Sequence, residues 1–120
     1  DHAVAAFLDD VQQRGLSDKI LLIITGEMGR PPRRNRNGGR DHYGGLTTLA
    51  FAGGGLQMGQ VIGKSDRLAR YAATEAYRPA HLVSSVMNSL FDLGQLRLER
   101  GVPTGLLSWL EQSPPIETLF

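Results

Sequence analysis

Directly after the apolar run Ile20–Ile24, the chain reads TGEMGRPPRRNRNGGRDHYGG from Thr25 to Gly45. This stretch holds the side chains best suited to chemistry: the carboxylate of Glu27, the pair Asp41–His42, and five arginines (Arg30, Arg33, Arg34, Arg36 and Arg40). Carboxylates and imidazoles are the usual protein ligands of zinc and related cations, commonly brought together from separate loops. Guanidinium groups beside them would hold a tetrahedral oxyanion through charge-assisted, bidentate hydrogen bonds. Spacing alone leaves a second reading open. The same residues describe a solvated basic loop in which Asp41 pairs with Arg40 or Arg36, and Glu27 with Arg30 or Arg40.

The elements that must position these groups are read from periodicity. Val4, Phe7, Leu8 and Val11 recur at helical spacing, which predicts a helix over 1–14, with Gly15 just past its end. Ile20–Thr25 reads as a strand whose continuous apolar character suits cover on both faces, as in a parallel sheet. Residues 26–45 form a long loop punctuated by Pro31–Pro32, Gly38–Gly39 and Gly44–Gly45. A second strand is expected over 46–52 and a short strand-like segment over 60–63, with only a faint helical spacing in 65–76. Pro79 opens a second helix expected to run to Leu93 and to end at Gly94. From Gly101 onward, three prolines predict an irregular segment, or a short strand and turn, packed on the core.

This order predicts an α/β fold. Two or three strands do not bury their own faces, so we expect the C-terminal part of a larger sheet flanked by helices. The chain also opens without Met, inside an amphipathic pattern, and is expected to be a piece of a longer protein forming at most one domain. In open α/β sheets ligands bind beyond the carboxyl ends of the strands, which is where Glu27 falls.

Composition narrows the function classes. The formal net charge is +1, so the positive potential is local to the arginine stretch and points to an anion site or a basic loop. A nucleic-acid surface is disfavoured because the stretch has little aromatic interleaving. There is no cysteine, which excludes a disulfide framework, a zinc knuckle and a cysteine nucleophile within the chain. No apolar run reaches the roughly eighteen residues needed to span a bilayer. His2 and His81 read as structural, and Trp109 as an anchor for the tail.

With these motifs in place, the run LLIITGEMGRPPRRNRNGGRDHYGGLTTLAFAGGGLQMGQVIGKSDRLA resembles the sulfatase-like domain-of-unknown-function family 1501, within the alkaline phosphatase superfamily. The resemblance rests on Glu27-Met28-Gly29-Arg30-Pro31-Pro32, Asn37-Gly38-Gly39-Arg40-Asp41-His42-Tyr43, Gly53-Gly54-Gly55 and Gly59-Gln60-Val61-Ile62-Gly63, and on the closing Pro114–Phe120. It implies the C-terminal part of an alkaline phosphatase/sulfatase-like sheet and a metal-dependent hydrolase of phosphate or sulfate esters.

By motif position, the resemblance implies Glu27 and His42 as metal ligands, Asp41 as a group orienting His42, and Arg30 and Arg40 as anion holders. The implied cofactor is a divalent metal: zinc, calcium or manganese. The superfamily's Asp-His ligand pair is here Glu27-Met28, which keeps an oxygen donor and removes an imidazole, so a single site stays as open as a binuclear one. The chain lacks a C-x-P-x-R or S-x-P-x-R nucleophile signature, so no catalytic residue is expected within it and it is expected to be inactive by itself. The implied partners are a small anionic ester or a sulfated glycan, together with a preceding part of the same protein. The implied location is periplasmic or secreted. The alternative is a catalytically silent, exported protein of the same fold that binds a sulfated polysaccharide.

Overall fold

The computed structural model describes all of residues 1–120. Helix α1, His2–Gln13, forms where the apolar spacing predicts it, with Val11 buried. Gly15, at φ +66°, ends the helix. Its N–H donates to the Gln12 carbonyl, and that of Leu16 donates to the Val11 carbonyl at 2.9 Å, the double closure of a Schellman motif. The chain then enters β1, Leu21–Thr25, which pairs with β2, Leu49–Gly53.

The pairing is antiparallel, with Leu21 opposite Gly53 and Thr25 opposite Leu49. This corrects the parallel arrangement expected from the apolar run. A parallel neighbour requires a crossover element to carry the chain back. Here the segment between the strands is a loop whose two ends return to each other. The expected cover on both faces is only partial, since no residue of either strand is buried and Ile24 and Leu49 are exposed. On one face Ile20 and Ala52 line a cavity of about 200 Å³ together with Phe7, Leu8 and Val11 of α1. On the other, Leu21 and Phe51 pack against Leu56, Ile116 and Leu119, the central buried cluster.

The C-terminal half departs further from the periodic reading. Helix α2 spans Pro79–Leu90, and Phe91 leaves it in an extended conformation (ψ 145°). Asp92 then caps a separate short helix, α3, Leu93–Leu96, by accepting from the Gln95 N–H at 3.0 Å. Gly94 therefore lies inside a new turn instead of ending α2. Residues 60–63 form no strand, and the segment after them turns back on itself through a bridge between Ser65 and Ala72. The tail, expected to be irregular, contains the nine-residue helix α4, Thr104–Gln112. Its prolines mark the ends and spare the interior: Pro103 is the N-cap, and Pro114–Pro115 follow the last turn. A 3-10 turn, Glu117–Leu119, closes the chain.

Polar contacts from Ser85, Gln57 and Gln60 hold this tail, and Gln60 donates through Nε2 to the Thr118 carbonyl. The Ser85 hydroxyl donates to the His81 carbonyl at 2.7 Å and accepts from the Ile116 N–H at 2.9 Å, joining α2 to the tail. Gln57 donates through its backbone N–H to the Leu119 carbonyl at 2.8 Å and through its side chain to that of Phe120. His81, as expected, is structural. Its Nδ1 accepts from the Arg78 N–H at 2.9 Å at the start of α2, and its ring meets Tyr77 edge-on. Trp109 is half-buried on α4.

Only seven residues are buried, and the accessible surface is 9317 Å². A compact monomer of 13.1 kDa would expose about 6,400 Å². The radius of gyration, 17.2 Å, likewise exceeds the roughly 14 Å of a compact chain of this length. Val61, Leu90 and Leu98 are each more than 60% exposed.

Ser84 and Ser85 provide a matched test of the tail's anchorage. Both are buried, but Ser84 Oγ has no hydrogen-bond partner. In the full-length protein, Ser85→Ala leaves the Ile116 N–H without its acceptor and is expected to cost about 1–3 kcal/mol. Ser84→Ala removes an unpartnered hydroxyl and is expected to be neutral or mildly stabilising. Thermal unfolding of the two variants checks this, and equal destabilisation would refute the anchoring role of Ser85.

Candidate functional site

The arginine loop begins where β1 ends. After Thr25 the chain turns through Gly26, Glu27 and Met28. Gly29 then bridges to Tyr43, whose N–H donates to the Gly29 carbonyl at 3.1 Å. This bridge is a neck that pinches the base of the loop. Gly29 is needed there because a Cβ would lie 1.7 Å from the Leu46 carbonyl oxygen. One residue further in, the Arg30 guanidinium donates through Nη1 to the Arg40 carbonyl at 2.8 Å. Arg30, expected as an anion holder, thus also closes the loop, while its other N–H groups stay free of protein partners.

The tip is organised by Asn35, which the sequence reading did not single out. Its Oδ1 accepts from the N–H groups of Asn37 and Gly39, both at 3.0 Å, and its own N–H donates to the Gly39 carbonyl at 2.8 Å. An asparagine shortly before Gly-Gly is a turn signal, because its short amide mimics a backbone turn. Asn35 Nδ2 also donates to Asp41 Oδ1 at 2.8 Å. One oxygen of Asp41 therefore turns into the loop, and no hydrogen bond joins Asp41 to His42.

None of the five arginines has a carboxylate within 4.0 Å. The ion pairs in the structure are Arg14–Asp10 and Arg97–Glu111, both elsewhere. The pairings of Asp41 or Glu27 with an arginine of the loop, left open above, do not form. Arg33, Arg34 and Arg36 line an open concavity of about 400 Å³ together with Pro31, Asn35 and Asp41. Arg40 is exposed beside it.

Glu27 and His42 are fifteen residues apart in the chain, yet each lies within two residues of the Gly29–Tyr43 bridge. The neck thus brings their backbones to the same end of the sheet. Both side chains are exposed, and neither makes a hydrogen bond or an ion pair. Nowhere in the chain do three His, Asp or Glu side chains come together in a way that could hold a metal ion. No helix is long and apolar enough to cross a membrane.

Tyr43 also reaches beyond the neck. Its hydroxyl donates to the carbonyl of Arg70, in the turn closed by the Ser65–Ala72 bridge. In that turn Asp66 accepts from the Arg70 N–H at 2.8 Å, and Ala69 takes a positive φ of 52°.

This arrangement, an apolar strand leading into a pinched arginine loop, coincides with a family match. Residues 1–100 match the family described as "Protein of unknown function (DUF1501)". The chain belongs to that family. The DUF1501 match takes in β1, β2 and the whole arginine loop and stops before α4 and the closing Pro114–Phe120 segment. Among curated proteins and solved structures, none matches the chain.

The neck makes a measurable claim about the loop. Gly29→Ala forces the Cβ into the Leu46 carbonyl and is expected to open the base of the loop. Gly26→Ala meets only the Met28 carbonyl oxygen, at 3.7 Å, and serves as the control. Limited trypsin digestion of the full-length protein should cut Gly29→Ala several-fold faster after Arg33, Arg34, Arg36 or Arg40. Equal cleavage of the two variants would mean that the bridge does not hold the loop.

Proposed function

We propose that this chain is the C-terminal part of a sulfatase-like, metal-dependent hydrolase of phosphate or sulfate esters, whose arginine loop receives the oxyanion of the ester. The observation that carries this reading is the set of five arginines at the exit of β1, none of them neutralised by a carboxylate. Guanidinium groups without a carboxylate partner retain donors for a ligand, and a tetrahedral phosphate or sulfate offers acceptors in matching geometry. The exposed surface, about half as large again as that of a compact monomer, supports a chain that packs against further polypeptide of the same protein.

For the implied metal, Glu27 and His42 are donors of the right chemical type for zinc or manganese, and Glu27 also suits calcium. Two donors fall short of the three protein ligands that a catalytic zinc keeps. The residues of this chain therefore do not fit a complete centre by themselves. In this proposal they supply part of a set whose other members, like the nucleophile, come from elsewhere in the protein. What the chain itself contributes is binding and orientation: Arg33, Arg34, Arg36 and Arg40 attract and hold the anion, while the Arg30–Arg40 closure keeps the loop at the strand end.

The shortage of donors favours a second reading, an exported and catalytically silent protein of the same fold that binds a sulfated polysaccharide through the same loop. Metal content separates the two. Mass spectrometry of the full-length protein should find stoichiometric metal, and Glu27→Gln and His42→Ala should each lose most of it. A protein that holds no zinc, calcium or manganese after incubation with each would sink the hydrolase reading and leave the anion-binding one.

A further inference from the structure

Two basic segments that are far apart in the chain are tied together by one hydrogen bond. The first is the arginine loop. Residues 30–41 carry five arginines against Asp41, a net of four positive charges. The second is the turn after β2. Residues 64–70 carry Lys64, Arg67 and Arg70 against Asp66, a net of two. The whole chain carries +1, so everything outside these segments sums to −5. Positive charge is thus gathered on two loops of an otherwise acidic chain, and the Tyr43 hydroxyl joins them by donating to the Arg70 carbonyl.

The tie matters because Tyr43 belongs to the neck. Its backbone holds Gly29 and its side chain holds the second turn, so the two loops are placed relative to each other through one residue. Within the second turn, Asp66 spends one carboxylate oxygen on the Arg70 N–H and forms no ion pair, which leaves Lys64, Arg67 and Arg70 unneutralised. Beside Arg70 stands Tyr71, 71% exposed.

We infer that the anion-binding surface extends from the arginine loop onto Lys64, Arg67 and Arg70, and that its ligand is a linear, multiply sulfated glycan. This rests on the anion-receiving role of the loop proposed above. A single ester group would be satisfied by the concavity of Arg33, Arg34 and Arg36. Cations on two separately anchored loops suit a chain with repeated anionic groups, each able to engage a guanidinium. Tyr71, next to Arg70 in the chain and exposed, carries an aromatic face against which a sugar ring can lie. Single-stranded nucleic acid calls instead for successive aromatic platforms. Tyr43 is a positioning residue: it fixes the distance between the two cationic groups and does not itself hold the ligand.

Isothermal titration of the full-length protein with inorganic sulfate, a heparin-derived disaccharide and a heparin-derived octasaccharide tests this, with thermal unfolding as the check that each variant is folded. The octasaccharide is expected to bind most tightly and to weaken most as salt is raised. Arg67→Ala with Arg70→Ala should weaken the octasaccharide about tenfold and weaken sulfate and the disaccharide far less. Tyr43→Phe should show the same dependence on ligand length, which a merely structural defect would not produce. If the paired variant binds the octasaccharide as well as wild type, while alanines at Arg33, Arg34 and Arg36 abolish binding, the two-loop surface is overturned and the anion-receiving loop stands. Should those three alanines leave every affinity unchanged, the anion-receiving reading itself fails. A single-stranded oligonucleotide of equal charge that binds more tightly than the octasaccharide would overturn the glycan assignment.

Discussion

The closest backbone approach at the base of the arginine loop sets what the rest of the site can be. Gly29 passes so near the Leu46 carbonyl that only a hydrogen can occupy the position of its side chain. That approach lets Gly29 pair with Tyr43. The pairing converts a long excursion between two strands into a loop with a closed base, and loop closure of this kind limits the states its residues can visit. Arg30 and Asn35 then work on a loop whose ends are already fixed. Without the neck, five like charges within eleven residues would drive the segment apart. With it, they are held at one end of a two-stranded sheet.

The sheet is small, and its stability is borrowed from what covers it. Two antiparallel strands alone are marginal in water. Helix α1 borders a cavity on one face, and on the other Leu21 and Phe51 pack against Leu56, Ile116 and Leu119. The last two belong to a tail held in place by Ser85 and Gln57. The residues that complete the core are therefore more than fifty positions away in sequence from the strands they cover. This long-range closure still leaves much apolar side-chain surface in water on α2 and after it, at Val83, Leu90, Phe91 and Leu98.

Charge is organised on the same plan as packing. The two carboxylates in the 25–45 stretch leave its arginines alone: Asp41 is turned inward by Asn35, and Glu27 sits outside the neck. Where ion pairs do occur, as between Arg14 and Asp10 one turn apart on α1, they are exposed and contribute little. A cationic surface kept free of internal neutralisation, on a chain acidic elsewhere, carries a positive potential whose reach is set by the ionic strength.

The sequence by itself determined the local features: α1 and its glycine stop, the apolar strand, the start of the second helix, and the concentration of arginines after Thr25. Each follows from periodicity or from a single residue's backbone preference, and these act over a few residues. The family was legible as well, because its motifs are ordered and dense between Leu21 and Ala69. Only the tertiary structure decided the direction of strand pairing, the break between α2 and α3, and the helix between Pro103 and Pro114. An apolar strand is compatible with either neighbour direction, and Gly94 stops a helix or sits in a turn according to what Asp92 caps. The central part of Asn35 and the tie from Tyr43 to Arg70 were likewise invisible beforehand. They depend on contacts between residues far apart in the chain, and no local rule of spacing encodes such contacts.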